Sequence, residues 1–158
     1  MATRNIRVDG DAILRKKCKP VKEMTYRLAM LIDDMFETMY EANGVGLAAP
    51  QVGILKRVVV IDASEKENER NPICLINPEI VESSGSQTGN EGCLSLPGLT
   101  GTVTRPMHVT CKALDRDMNE ITIEAEGLLA RAICHETDHL EGILYKDKTD
   151  DGKVYEVE

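Results

Sequence analysis

The residues best placed to do chemistry are His135, Glu136 and His139, in the run Cys134-His135-Glu136-Thr137-Asp138-His139. Residues four apart on a helix stand one above the other, so two imidazoles can face one ion while Glu136 leans in beside them. This is the H-E-x-x-H arrangement of metal-dependent hydrolases, in which the histidines hold the metal and the glutamate takes a proton from the water the metal acidifies. The chemistry requires a helix, and the apolar run from Gly127 to Tyr145 predicts one. Two histidines on a helix by coincidence is the alternative; the complete pattern with its glutamate argues against it.

A catalytic site of this kind takes three protein ligands and keeps one position open. The protease pattern H-E-x-x-H-x-x-G-x-x-H would supply the third from the same segment, but here Gly142 is followed by Tyr145 where the last histidine belongs. A glutamate from a later helix is disfavoured, because a short polar tail with Glu156 and Glu158 follows. The search therefore points upstream, to His108, four cysteines and many carboxylates. Cys74 and Cys111 lie in strand-like runs and read as small buried thiols, and Cys18, among lysines, as an exposed or half-buried one. His108 lies in a strand, where a satisfied or exposed histidine is the ordinary reading. Cys93 differs. It sits in Asn90-Glu91-Gly92-Cys93-Leu94-Ser95-Leu96-Pro97-Gly98, a segment bracketed by glycine and proline whose backbone can approach a ligand closely. Spacing alone leaves open whether Cys93 is a ligand or merely a loop thiol.

The elements that must position these groups are legible along the chain. At 158 residues, one domain with a single core is expected, and 42% hydrophobic with 29% charged residues is ordinary for a globular protein. Aromatics are scarce, so aliphatics and seven methionines must fill the core. Val8 to Val21, with the basic cluster Arg15-Lys16-Lys17, reads as an arm or short strand over the surface. Leu28, Leu31, Ile32, Met35, Phe36 and Met39 recur on one helical face, with Thr25 as N-cap and Asn43-Gly44 as the stop. Gly44-Val45-Gly46-Leu47-Ala48-Ala49-Pro50-Gln51 is either a tight turn or a substrate-facing wall, with the Gln51 amide able to polarise a carbonyl. Strands are predicted at Arg57 to Asp62 and Ile73 to Val81, the latter with an edge or a bend at Pro78, and the charged stretch Ser64 to Asn71 between them reads as an exposed loop. Val103 to Leu114 and Ile121 to Ala125 form a hairpin, and Ile143 to Tyr145 and Val154 to Val157 are short closing strands. Leu128 and Ala132 share the histidine side of the metal helix and either line a pocket or face the core. The class is α+β, with mostly antiparallel sheets packed around a central metal-binding helix.

Five cysteines without regular spacing, and an amino end lacking the apolar core of a signal peptide, suggest the reducing cytoplasm. No stretch is long and apolar enough to predict a membrane span. A formal charge of -8 argues against a direct nucleic-acid substrate.

Taken in order, Gly44-Val45-Gly46-Leu47-Ala48-Ala49-Pro50-Gln51, Glu91-Gly92-Cys93-Leu94-Ser95 and His135-Glu136-Thr137-Asp138-His139 resemble the three signature motifs of peptide deformylases. The resemblance extends to Asp33 to Tyr40, Leu75-Ile76-Asn77-Pro78, Ala113 to Asp117 and His139-Leu140-Glu141-Gly142, and so reaches to about residue 147. It implies hydrolytic removal of the formyl group from the N-terminal formyl-methionine of newly made polypeptides, with Cys93, His135 and His139 binding the metal. It further implies Glu136 as general base and acid, and the Gln51 amide and Leu94 backbone N–H as donors to the developing oxyanion. Substrate backbone is expected along Val45-Gly46, with the methionine side chain near Val45, Leu128 and Ala132. Glu91 and Arg105 are a candidate pair behind the Cys93 segment, either orienting a ligand or exposed as a surface ion pair.

Donor softness permits zinc, iron, cobalt or nickel, and the resemblance implies ferrous iron (Fe2+) as the physiological ion with zinc (Zn2+) a common occupant; Ni2+ and Co2+ suit the same donors. Some deformylases end in a long basic helix resembling a ribosome anchor. This chain finishes Asp150 to Glu158, short and acidic, so docking through the tail is not expected, although transient proximity to the ribosome is. Two readings compete: a metallopeptidase that cuts internal peptide bonds, and a module in which metal merely staples the fold. Glu136 speaks against a staple, since a closed structural site needs no general base.

Overall fold

The computed structural model describes residues 2–64 and 69–157, so part of the charged stretch expected between Ser64 and Asn71 lies outside the described residues. Its centre is a five-stranded antiparallel sheet, built from β1 (Gly46–Ala48), β2 (Val58–Ile61), β3 (Ile73–Ser84), β6 (His108–Leu114) and β7 (Glu120–Glu126) in the order β1-β2-β3-β6-β7. Side chains alternate across a strand, and the apolar residues of β2 and β3 are divided accordingly. Val58, Val60, Cys74 and Ile76 meet Leu28, Ile32, Met35 and Met39 of helix α1 (Tyr26–Glu41) on one face. Val59, Ile61 and Leu75 meet Ala130, Ala132, Ile133 and Cys134 of helix α2 (Gly127–Leu140) on the other. A strand covered on both faces can be continuously apolar, which accounts for the unbroken Val58-Val59-Val60-Ile61, every residue of it buried.

On its far side α2 meets a smaller sheet of β4 (Gln87–Cys93), β5 (Leu96–Arg105) and β8 (Tyr155–Glu156), in the order β4-β5-β8. The metal helix thus lies between two sheets, and the α+β class with mostly antiparallel sheets around it is the architecture found. A third apolar cluster, Leu14, Leu96, Val103, Leu144 and Tyr145, fills the space under β5.

Local signals behave as chemistry requires. Thr25 Oγ1 accepts from the Leu28 N–H at 3.1 Å, and Asn43 takes a φ of 58°, ending α1 in the left-handed conformation. Several boundaries differ from those read in the sequence. The metal helix stops at Leu140, five residues before Tyr145, because Gly142 adopts a φ of 77° against the Arg15 carbonyl, where a side chain would collide at 2.5 Å. Ile143 to Tyr145 is no strand; Tyr145–Asp147 is a 3-10 turn, with the Leu144 N–H donating to Asp147. The Val103 to Leu114 run breaks at Pro106 and belongs to two sheets. Pro78 marks a bend inside a central strand, with a register shift between Ile76 and Glu79. Near the amino end, Ala12–Arg15 is a 3-10 turn that sinks Leu14 into the core, and Cys18 is buried.

Candidate metal centre

The Cys93 segment is a hairpin tip, not a loop. β4 ends at Cys93, β5 begins at Leu96, and Cys93 and Leu96 pair across the turn. This hands the sulfur to α2, where His135 and His139 follow one another by a turn. One donor atom each from Cys93, His135 and His139 lie within 4.8 Å of one another. Cys93 Sγ stands 3.4 Å from His139 Nε2. Two such donors on a tetrahedral cation, with bonds of about 2.3 and 2.1 Å, would stand about 3.6 Å apart, so the spacing suits a borderline-soft ion. His108, by contrast, is exposed beside Glu126, and Cys18, Cys74 and Cys111 are buried in the core.

His135 is oriented from behind. Its Nδ1 stands 2.9 Å from Glu91 Oε1; a carboxylate can only accept, so Nδ1 carries the proton and donates. Glu91 also receives Arg105 Nε on Oε2 and Arg105 Nη2 on Oε1, each at 2.9 Å. Both side chains are only 4% exposed, which excludes a surface ion pair. Burial alone would raise the Glu91 carboxyl, but the His135 and Arg105 hydrogen bonds and the charges behind them hold it well below the usual carboxylate range.

Glu136 is situated differently. Its side chain is buried and Oε1 has no hydrogen-bond partner among the described residues. Burial pushes its carboxyl up to about 7, with the charge of His135 opposing. A carboxyl of that kind suits proton exchange near neutral pH. Gly46 of β1 runs directly against it: a Cβ there would lie 2.5 Å from Glu136 Oε2. The backbone at Gly46 therefore runs close to the carboxylate, which a side chain there would not permit.

Gln51 is only 1% exposed, in the 3-10 turn Ala49–Val52. Its Oε1 accepts from the Ala48 N–H at 2.9 Å, which turns the NH2 toward Ser95 Oγ at 3.0 Å and Cys93 Sγ at 3.5 Å. A cleft of about 460 Å³ opens over these groups, its walls including Val45, Gly46, Leu94, Leu128, Arg131 and Ala132. Val45 and Leu128 are exposed at its mouth, and Ala132 is buried in the wall. The cleft thus gathers Gln51, Cys93, His135 and Glu136, with Leu94 in its wall and Arg105 behind Glu91, whereas His108 stands apart.

Four others escaped that reading. Ser95 accepts from Gln51, Arg131 Nη1 donates to Glu91 Oε2 at 2.5 Å, and Asp138 accepts from Arg105 Nη1 at 2.7 Å. Tyr145 stacks on His135 with ring centres 6.0 Å apart. For Arg131 there was a signal: a charge four residues before His135, on the inward face of an apolar helix.

Comparisons with known proteins agree with this geometry. The sequence profile described as Polypeptide deformylase matches residues 3–154. A peptide deformylase of Lachnoclostridium phytofermentans is 62% identical over 157 residues, covering 99% of this chain and 94% of that protein. Among solved structures, a peptide deformylase from Legionella pneumophila has a TM-score of 0.89 at 48% identity, covering 94% of this chain and 87% of the other. Another, from Ehrlichia chaffeensis in complex with actinonin, has a TM-score of 0.90 at 38% identity and covers 95% of this chain and 90% of that one. A profile spanning nearly every residue, near relatives over the same span and a shared fold together place the chain in the polypeptide deformylase family.

Proposed function

We propose that the chain, acting as one catalytic domain, hydrolyses the formyl group from the N-terminal formyl-methionine of newly made polypeptides and releases formate. The observation that carries this reading is a buried carboxylate, Glu136, with a free oxygen beside three converging soft and borderline donors. Cys93, His135 and His139 would hold one divalent cation, ferrous iron in the cell, and zinc, nickel or cobalt suit the same donors. When bound, such a cation polarises the formyl carbonyl and acidifies a water.

The remaining work falls to the chain. Glu136 accepts the proton of the attacking water and returns it to the departing amine nitrogen. The Gln51 NH2, held in its orientation by Ala48, and the Leu94 backbone N–H donate to the formyl oxygen as it gains charge, each worth about 3 kcal/mol. β1 is an edge strand at the cleft, so substrate backbone can add along Val45-Gly46. The methionine side chain packs against Val45, Leu128 and Ala132, where an unbranched thioether needs no polar partner. Glu91 and Arg105 keep the His135 ring oriented. The substrate is the leading end of a new chain, so the encounter takes place in the cytoplasm near the ribosome; neither membrane nor nucleic acid is a direct substrate. No helix among the described residues is long and apolar enough to cross a membrane.

The test is formate release from a formyl-methionyl peptide. Chelation should abolish it, and anaerobic return of ferrous or cobalt ion should restore it. Cleavage inside the peptide without formate would reject the reading in favour of a metallopeptidase. Cys93→Ser should lose metal on purification, measured by elemental analysis.

A further inference from the structure

Arg131 stands one turn before His135 on α2, and the reaction just described gives it no task. Burying a guanidinium is costly unless its donors are met. Here the partners come from a single place, the β4–β5 hairpin. Nη1 donates to Glu91 Oε2 at 2.5 Å and to the Val103 carbonyl at 3.1 Å, and Nη2 donates to the Gln87 carbonyl at 3.3 Å. Gly89 of β4 leaves space for the group; a Cβ at that position would stand 3.4 Å from Nη2.

Glu91 is the meeting point. Its Oε1 takes His135 Nδ1 and its Oε2 takes Arg131 Nη1, so two residues four apart on α2 grip the two oxygens of one carboxylate. That carboxylate lies two residues before Cys93 on the hairpin. On the other side of His135, Arg105 of β5 reaches Asp138 of α2 at 2.7 Å. The helix bearing both imidazoles is therefore tied to the hairpin bearing the sulfur at points before, at and after His135. A single tie would let the helix roll; a row of three fixes both its rotation and its distance. From this geometry we infer that Arg131 is a positioning residue for the metal centre, setting the sulfur-to-imidazole spacing through Glu91. The inference rests on Cys93, His135 and His139 being the ligands.

The test uses zinc-loaded protein and the rate of zinc release to a chelator, beside kcat, KM and thermal unfolding. Partners that orient a ligand are worth about 10–100-fold in metal affinity. Arg131→Met should release zinc at least about tenfold faster and lower kcat with little change in KM. Arg131→Lys, able to reach fewer of the acceptors, should fall between that variant and the parent. If Arg131 acts through Glu91, Glu91→Gln with Arg131→Met should release zinc no faster than Glu91→Gln alone. Parental release rates in Arg131→Met, even with a lowered melting temperature, would make Arg131 a plain structural tie and overturn the inference. Additive effects in the double variant would overturn it as well. Should Arg131→Met fail to fold, Arg131→Lys decides by the same criterion. Full zinc retention in Cys93→Ser would instead remove the ligand reading, and the inference with it.

Discussion

Helices α1 and α2 press on opposite faces of the same strands, and they bury different things. The inward side of α1 is Leu28, Leu31, Ile32, Met35 and Met39, with Asp34 and Thr38 at one edge, and Thr25 caps its start. α2 buries Arg131, His135, Glu136 and His139 beside its apolar residues, and begins at Gly127 with a φ of 61° and no side-chain cap. Each large apolar side chain in α1 adds about 1.5–3 kcal/mol on burial, whereas each polar group in α2 costs free energy until it is paired. The helix that carries the chemistry is thus held in place by others: the hairpin on one side, and the sheet that α1 backs on the other. One face of the sheet is given to packing alone, and the other combines packing with the reactive groups.

Substitutions can break or sharpen that division. The largest effect belongs to α2: Glu136→Gln should lower formate release about a thousandfold, within the range for a lost general base. Its metal content and thermal midpoint should remain near those of the parent; parental turnover would erase the division. In α1, Met35→Ala should destabilise by about 3 kcal/mol in urea titration and leave kcat of the folded protein unchanged. A fall in kcat to match would mean that α1 reaches the site after all. Thr25→Ala removes the cap and should cost about 1 kcal/mol, again with activity intact.

The smallest effect concerns the one charge that α1 buries. Asp34 accepts from the Ala2 N–H and from Arg4 Nε, each at 2.9 Å. The Ala2 hydrogen bond, against the opposing effect of burial and with help from Arg4, holds its carboxyl below the ordinary value. A depressed carboxyl stabilises the fold above its unfolded pKa and loses that contribution as pH falls through the folded one. Asp34→Asn should therefore be less stable than the parent near neutrality, with the gap closing as pH drops below about 4. Urea midpoints measured across that range check this, and a gap independent of pH would exclude the Asp34 charge as its source.

Much of this arrangement is legible in local patterns. The stripe from Leu28 to Met39 and the Thr25 cap are determined by neighbours in sequence, and both are found as read. The H-E-x-x-H spacing likewise needs only the helical repeat to bring His135 and His139 together. Spacing alone leaves Cys93 open, because nothing local says that a hairpin tip will be carried to His139, 46 positions later; only the resemblance implies its role as a ligand. Helix α2 ends earlier than the apolar run to Tyr145 predicts, because Gly142 takes the left-handed conformation that stops a helix, packed against the Arg15 carbonyl from the far end of the chain. Arg131 and Asp138 are not legible in the sequence for a related reason. Their partners, Glu91 and Arg105, are separated from them by 40 and 33 positions, so a charge on an apolar helix had no visible counterpart.

One glycine bears on how variants of this enzyme should be chosen. At position 46 any substituent, down to a methyl group, claims the volume taken by the Glu136 carboxylate. The nearest contacts of a methyl group in Gly46→Ala would all be with Glu136, so the change presses first on the proton acceptor. An enzyme that loads fully but turns over slowly is the signature of such a change, and it makes position 46 a place to tune catalysis without disturbing cation loading.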